Sequence, residues 1–354
     1  MLKKIKVLIV DDSAVVRKIL STGLSRDHGI EVVGTAADPF IARDKIINLK
    51  PDVITLDIEM PRMDGISFLQ RLMTYYPLPV IMVSSLTQAG CETTLKALEV
   101  GALDFVAKPS LDVSHTLYEI VTELAEKIKE SAGVKVKKKE YFKNTGSKNT
   151  TAMHTETSHA LINSTHKIIA IGASTGGTEA LKTVLMQMPP NAPGILIVQH
   201  MPQLFTKSFA DRLNSLCSVE VREAKDGDSI IPGLVLIAPG NYHMELRRNG
   251  ARYYVTTNQE PPVRRHRPSV EVLFDSVAKY AGSNAVGVIM TGMGDDGAGG
   301  LLKMKEAGAK TMAQDEESCV VFGMPKEAIK LGAVDTIVPL HKITPSILSL
   351  LTKM

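Results

Sequence analysis

Residues 168–185 read IIAIGASTGGTEALKTVL. The stretch begins as a short apolar β-run and finishes with apolar residues at helical spacing, so it reads as a strand that turns sharply into a helix. A strand feeding a helix in this way is the repeating unit of an α/β fold, where crossover helices cover a parallel sheet. At the joint stands Ser174, flanked by Gly172 and Gly176 in the pattern GxSxG. Such a turn lifts a serine hydroxyl above the sheet. Taken alone it serves equally well to ease a tight turn, cap the helix or hold a phosphate, and the ends of the later strands must decide.

Downstream, the runs KIIAIGA, GILIVQH, VEVREA, GLVLIAP, YYVTT, AVGVIMTG and AKTMAQD read as strands, with helical periods near 177–188, 203–216, 268–281 and 298–307. Around 235–257 an antiparallel section is expected, because HMELRRNGARYYVTT sets Asn-Gly between two alternating runs, a hairpin signal. Upstream, KVLIVDD, EVVGTA, DVITLDI, VIMVSS and DFVAKP alternate with amphipathic segments and predict a five-stranded parallel sheet covered on both faces. Between the two series, hydrophobic periodicity disappears and Lys, Ser, Thr and Asn dominate, the composition of a solvated linker. The expected layout is a domain over 1–128, a flexible polar linker over 129–165 and a second domain over 166–354. The linker lysines Lys135, Lys137, Lys138 and Lys139 read as a solvated run.

The chain's 354 residues fit two domains at about 150 residues each. With 44% hydrophobic residues, 22% charged residues and a net charge of +3, it is ordinary globular protein with no global pull toward nucleic acid. Cys91, Cys217 and Cys319 are far apart and lack the paired spacing of a zinc or dithiol site, which fits a reducing cytoplasm. The apolar run in MLKKIKVLIVDD is too short for a signal segment and no stretch is long enough to span a membrane, so a cytoplasmic chain without membrane insertion is expected.

In the first domain, Asp11 and Asp12 end the first strand, Asp57 the third, Ser84 the fourth and Lys108 the fifth. The carboxyl ends of parallel strands share one edge, where ligands bind. Three carboxylates gathered there repel one another unless a cation joins them, and an all-oxygen donor set suits Mg²⁺. Asp57 is then the candidate phosphoacceptor, with Ser84 and Lys108 holding the transferred group. Asp11 and Asp12 have a second reading as helix caps. The ordered set VDDS, LDIEMPRMDG, VSS and AKP resembles the receiver domain of response regulators over residues 1 to about 125. That resemblance implies a flavodoxin-like fold and phosphorylation of Asp57 by a histidine kinase. It also implies Mg²⁺ held by Asp11, Asp12, Asp57 and the backbone carbonyl of Glu59, phosphoryl contacts from Ser84 and Lys108, and an aromatic switch at Phe105.

In the second domain, a dinucleotide site would need an acidic residue at the end of the next strand, but GILIVQH ends in His200. A neutral imidazole beside a serine is the group that removes a hydroxyl proton. His243 and His266 compete for that role. The run VGVIMTGMGDDG delivers Asp295 and Asp296 into a glycine-rich turn, where a carboxylate can orient a histidine, and spacing does not separate the two. The order Ser, His, Asp differs from that of the α/β-hydrolases.

IGASTGGTEAL, VQHMP, IAPGNYHMEL, RHRPSVEVLFDSVA, VIMTGMGDDGAGGL and VVFGMPKEAI together resemble the chemotaxis protein-glutamate methylesterase family (CheB) over 166–350. The resemblance implies a doubly wound, mostly parallel α/β domain and a triad of Ser174, His200 and Asp296, since the family's GMGxDG turn leaves Asp295 at its variable place. It implies hydrolysis of glutamate methyl esters and deamidation of glutamines on chemoreceptor helices, and the joining of a phosphoacceptor to a hydrolase suggests that the receiver inhibits in cis until Asp57 is phosphorylated. The hydrolase step is expected to need no cofactor. Amides near Thr175 and Met293 are the expected oxyanion donors, and Arg264, Arg265 and Arg267 offer a basic cluster to an acidic receptor surface. The competing readings are a nucleotide-binding output domain and a DNA-binding one; the second domain lacks a short helix-turn-helix unit and a basic recognition face.

Overall fold

A computed structural model of the chain describes residues 3–85, 87–108, 114–134, 136, 138 and 167–354, with backbone alone for 114–119. The chain divides into two compact units, Met1–Asn149 and Thr150–Met354.

The first unit runs β1 (Ile5–Val10), α1 (Ala14–Leu24), β2 (Ile30–Ala36), α2 (Pro39–Leu49), β3 (Val53–Asp57), α3 (Gly65–Tyr75), β4 (Val80–Ser84), α4 (Gln88–Val100), β5 (Asp104–Ala107) and α5 (Ser114–Ser131). The strands are all parallel in the order β2-β1-β3-β4-β5. Every residue of β3 and β4 is buried, as a strand with helices on both faces requires. Ser13, Asp38, Asp64 and Thr87 cap the four helices α1 to α4 through side-chain oxygens that accept amides of the first turn. Chain order reverses about β1, which opens a crevice at the carboxyl ends of β1 and β3. Helix α5 continues through Ser131, into the segment read as linker from residue 129. Of the linker lysines only Lys138 is described; Lys135, Lys137 and Lys139 lie outside the described residues.

The second unit runs β6 (Ile168–Ala173), α6 (Gly177–Leu185), β7 (Gly194–Gln199), α7 (Phe205–Leu216), β8 (Glu220–Glu223), β9 (Leu234–Ile237), β10 (His243–Asn249), β11 (Arg252–Asn258), α8 (Val270–Tyr280), β12 (Ala285–Ile289), α9 (Ala298–Glu306), β13 (Lys310–Gln314), α10 (Met324–Lys330), β14 (Thr336–Val338) and α11 (Ile343–Leu351). Seven strands form a parallel sheet in the order β14-β13-β12-β6-β7-β9-β8. The antiparallel section is narrower than expected. Residues 234–237 belong to the parallel sheet as β9, and only β10 and β11 pair as a hairpin, turning at Gly250 and Ala251. That hairpin buries Met244, Leu246, Tyr253 and Val255 in one core with Leu273 and Phe274 of α8. A hydrogen bond from the Leu246 amide to Ser276 Oγ, at 2.9 Å, fastens it there. No described helix is long and apolar enough to cross a membrane.

Candidate active site

β12, β6 and β7 lie side by side at the centre of the larger sheet, and the three residues singled out in the sequence follow their carboxyl ends. Ala173 is in register with Gln199, and the His200 amide donates to the Ala173 carbonyl at 3.1 Å, so Ser174 and His200 leave neighbouring strands side by side. On the other flank the Ser174 amide donates to Thr291 O at 3.0 Å. Two glycines make this joint. Gly176, with φ +77°, turns the chain into α6, and a Cβ there would lie 2.5 Å from Val320 Cβ. A Cβ on Gly292 would lie 2.7 Å from Ser174 Cβ.

His200 Nε2 lies 2.7 Å from Asp296 Oδ2. An ionised carboxylate only accepts, so Nε2 carries the proton and Nδ1 presents its lone pair. Nδ1 is buried and has no hydrogen-bond partner among the described residues, a costly state that proteins keep at catalytic positions. Among the described residues the Ser174 hydroxyl also has no partner, and unliganded sites commonly hold nucleophile and base slightly apart. Asp296 is 1% exposed. It accepts the Ser269 hydroxyl on Oδ1 at 2.7 Å, the Val270 amide on Oδ2 at 2.7 Å and the Glu271 amide on Oδ1 at 3.1 Å. Those amides open α8, so the carboxylate caps that helix in place of Ser269, whose hydroxyl turns to Asp296. Burial would raise the Asp296 pKa, but the hydrogen bonds from His200, Ser269 and Val270 outweigh it and hold the carboxyl below its ordinary range. The neighbouring Asp295 is exposed and pairs with Arg264 at 2.8 Å, which separates the two aspartates that spacing left equivalent.

Sequence reasoning missed the supporting residues. Gln199 Nε2 bridges the carbonyls of Ser174 and His200 at 2.9 and 3.2 Å. Thr291 Oγ1 donates to Thr175 O at 2.9 Å and accepts the amides of Val320 and Val321, both at 3.1 Å. Ser269 had a signal, a serine just ahead of an apolar helical run. His266, weighed above only as a competitor, stacks on His200 with ring centroids 3.7 Å apart and planes 11° apart. His243 is buried at the start of β10, where Nε2 meets Pro261 O at 3.1 Å. Burial pushes the Cys319 thiol up to about 12, which makes it a poor nucleophile. Met293, by contrast, has a backbone amide with no hydrogen-bond partner among the described residues, and Thr175 is buried beside the serine. Of the arginines, Arg267 is spent on Asn241 Oδ1 in the loop after β9 and on the carbonyls of Gln259 and Glu260 in its own loop.

In the first unit, carboxylate oxygens of Asp11, Asp12 and Asp57 lie within 4.8 Å of one another. Ser13 caps α1 itself and its amide engages Asp11 Oδ1, so the paired aspartates are not needed as that helix's cap. Arg17, unforeseen in the sequence, fixes the carbonyls of Asp11 and Asp12 at 2.8 and 2.9 Å. Lys108 Nζ sits 2.7 Å from Asp57 Oδ2 and 3.5 Å from Asp11 Oδ2, and the latter oxygen is buried without a hydrogen bond among the described residues. Burial, reinforced by the charge of Asp11, pushes Asp57 up to about 6 against the pull of Lys108. Burial raises Asp11 as well. A hard cation matches this set: oxygen donors, excess negative charge and an orphaned buried oxygen. The Ser84 hydroxyl accepts from Thr94 Oγ1 at 2.7 Å, and Phe105 is buried, with Lys127 Nζ on its carbonyl at 2.7 Å. The Glu59 amide approaches Asp57 Oδ1 at 3.3 Å.

Comparison with known proteins identifies the families of both parts of the chain. The CheB methylesterase family model matches residues 169–347, and the response regulator receiver domain model matches residues 7–120. A Syntrophus aciditrophicus protein named protein-glutamate methylesterase/protein-glutamine glutaminase 2 is 59% identical over 98% of this chain and 99% of its own length. A protein-glutamate methylesterase/protein-glutamine glutaminase of Syntrophotalea carbinolica is 54% identical over 99% of both. The crystal structure of the Thermotoga maritima CheB methylesterase catalytic domain is 41% identical, covers 52% of this chain and 98% of its own, and superposes with a TM-score of 0.51.

Proposed function

The chain belongs to the CheB methylesterase family and carries a response regulator receiver domain, and from that membership we propose that it removes methyl groups from glutamate methyl esters, and ammonia from glutamines, on chemoreceptor helices. Ser174 is the nucleophile. As Oγ attacks the γ-carbonyl carbon, its proton passes to His200 Nδ1, while Nε2–H stays on Asp296 and the carboxylate stabilises the imidazolium. The amides of Met293 and Thr175 receive the developing oxyanion. Collapse of the tetrahedral intermediate breaks the C–O bond, and His200 returns the proton to methoxide, which leaves as methanol. Water, deprotonated by Nδ1, then cleaves the acyl-serine to free glutamate and Ser174. Deamidation follows the same course with ammonia leaving, because methyl glutamate and glutamine side chains are neutral and close in shape. The observation that carries this reading is the buried Nδ1, without a hydrogen-bond partner among the described residues, on a ring fixed to Asp296 one strand from Ser174.

The receiver supplies control. In this reading Asp57 takes a phosphoryl group from the phosphohistidine of a chemotaxis histidine kinase, and the chain works in the cytoplasm. Asp11, Asp12, Asp57 and the Glu59 carbonyl would hold Mg²⁺, which supplies positive charge to the phosphoryl oxygens. Lys108 and Ser84 orient the group, and phosphorylation relieves inhibition of the esterase in cis. Methanol release from methylated receptor membranes, with and without a small phosphodonor, tests the whole scheme. Ser174→Ala is expected to lose turnover and keep Asp57 phosphorylation; Asp57→Ala is expected to lose only the response to the donor. Turnover by Ser174→Ala would move the nucleophile elsewhere.

A further inference from the structure

We propose that His266 is a positioning residue for His200: its ring, delivered by a left-handed two-residue turn, lies against the face of the base and keeps Nδ1 aimed at Ser174. The inference rests on the functional reading above and extends it to a residue outside the triad.

Among the described residues, the His200 ring is secured in its plane at one point, Nε2 on Asp296. A ring pinned at one nitrogen can still rock about its side-chain torsion, and the rocking carries Nδ1 out of the path of the serine proton. A second ring 3.7 Å away and nearly parallel blocks that motion from one face and shields the same face from water.

The backbone goes to some trouble to bring this ring there. Val263 and His266 exchange both backbone hydrogen bonds, at 3.1 and 2.9 Å, and enclose Arg264 and Arg265 as a two-residue turn. Both arginines have positive φ, 51° and 69°. That is the signature of the primed hairpin turn, usually built from Asn and Gly because branched L side chains resist it. Strained residues persist where their surroundings over-determine them. Here Arg264 bonds Asp295, next to the triad carboxylate, at 2.8 Å. On the other side Arg267 grips Asn241, itself at φ 66°, at 2.6 Å. The turn is thus clamped between the segment bearing Asp296 and the loop after β9, with His266 on the base. A basic loop that served only to attract an acidic partner would need none of this.

The test uses the full-length chain with phosphodonor present and compares His266→Ala, His266→Phe and the wild type. Two reactions are followed: methanol release from methylated receptor membranes, and fluorophosphonate labelling of Ser174, which needs the same base but no receptor contact. His266→Ala is expected to lower kcat by about tenfold or more with KM unchanged, and to slow labelling by a like factor, as misplacement of a reacting group does. His266→Phe keeps a ring on that face without a titrating nitrogen, and should return to within about threefold of wild type. If the Ala variant does not fold, judged by its urea midpoint, His266→Gln takes its place. Wild-type kcat and labelling in the Ala variant would overturn the proposal, as would a Phe variant no better than Ala. A loss confined to KM on receptor membranes would also overturn it, by making His266 a substrate contact. Turnover by Ser174→Ala brings down the functional reading itself, so the two failures are distinguishable.

Discussion

Asp57 and Asp296 are both buried carboxylates, and their surroundings drive them in opposite directions. Asp57 rises to about 6 because burial and the charge of Asp11 outweigh Lys108. Its folded value exceeds its unfolded one, so the folded state is favoured while the carboxyl is protonated and loses that advantage as pH rises from about 4 to 6. Asp57→Asn is therefore expected to stabilise the receiver by on the order of 2 kcal/mol at pH 7.5, with the gain fading toward pH 4, as read from urea midpoints. Added Mg²⁺ should raise the wild-type midpoint and have much less effect on Asp57→Asn. Asp296 lies below its ordinary range, so its contribution is complete above the normal carboxyl value and lost as pH falls through the depressed one. Ser269→Ala removes one of its donors. The expected cost is about 1–2 kcal/mol at neutral pH, shrinking in acid as the carboxylate takes a proton.

At the level of elements, Gly176 is the most exposed to test. Alanine there meets Val320 at 2.5 Å and must also adopt φ +77°, so the turn that presents Ser174 has to move. Gly176→Ala should cost about 2 kcal/mol or more in unfolding free energy and slow fluorophosphonate labelling of Ser174. The strands were legible because a strand covered on both faces is an uninterrupted apolar run, and Asn-Gly marked the hairpin. β14, at three residues, and α10, at seven, are too short to show a period, and they passed unread. Ser174 and His200 could be found by following β6 and β7 to the first residue past each strand. Ser269 and His266 reach the same place through folding of distant loops, and no spacing predicts that. The assignment of the two imidazole nitrogens was equally invisible, since it depends on which side of the ring Asp296 approaches.

For the molecule as a whole, each unit buries a core of its own: one around Val7, Ile9, Ile81 and Leu124, the other around Leu196, Leu236, Phe274 and Ile289. A fragment beginning near His166 is therefore expected to fold and to hydrolyse methylated receptor without phosphodonor, at least as fast as the unphosphorylated full chain. A slower fragment would remove inhibition in cis from the account. The pairing of Ala173 with Gln199 has one more consequence, for heat. The spacing of the backbones that carry nucleophile and base is set by the repeat distance of the sheet, about 4.8 Å, and the one connection that also aims the base, the turn bearing His266, is clamped on both sides by Arg264 and Arg267. Warming frays connections long before it parts hydrogen-bonded strands. Followed with a small ester, turnover should climb without sagging and then stop within the narrow interval where the domain melts, a single cliff in place of a slope.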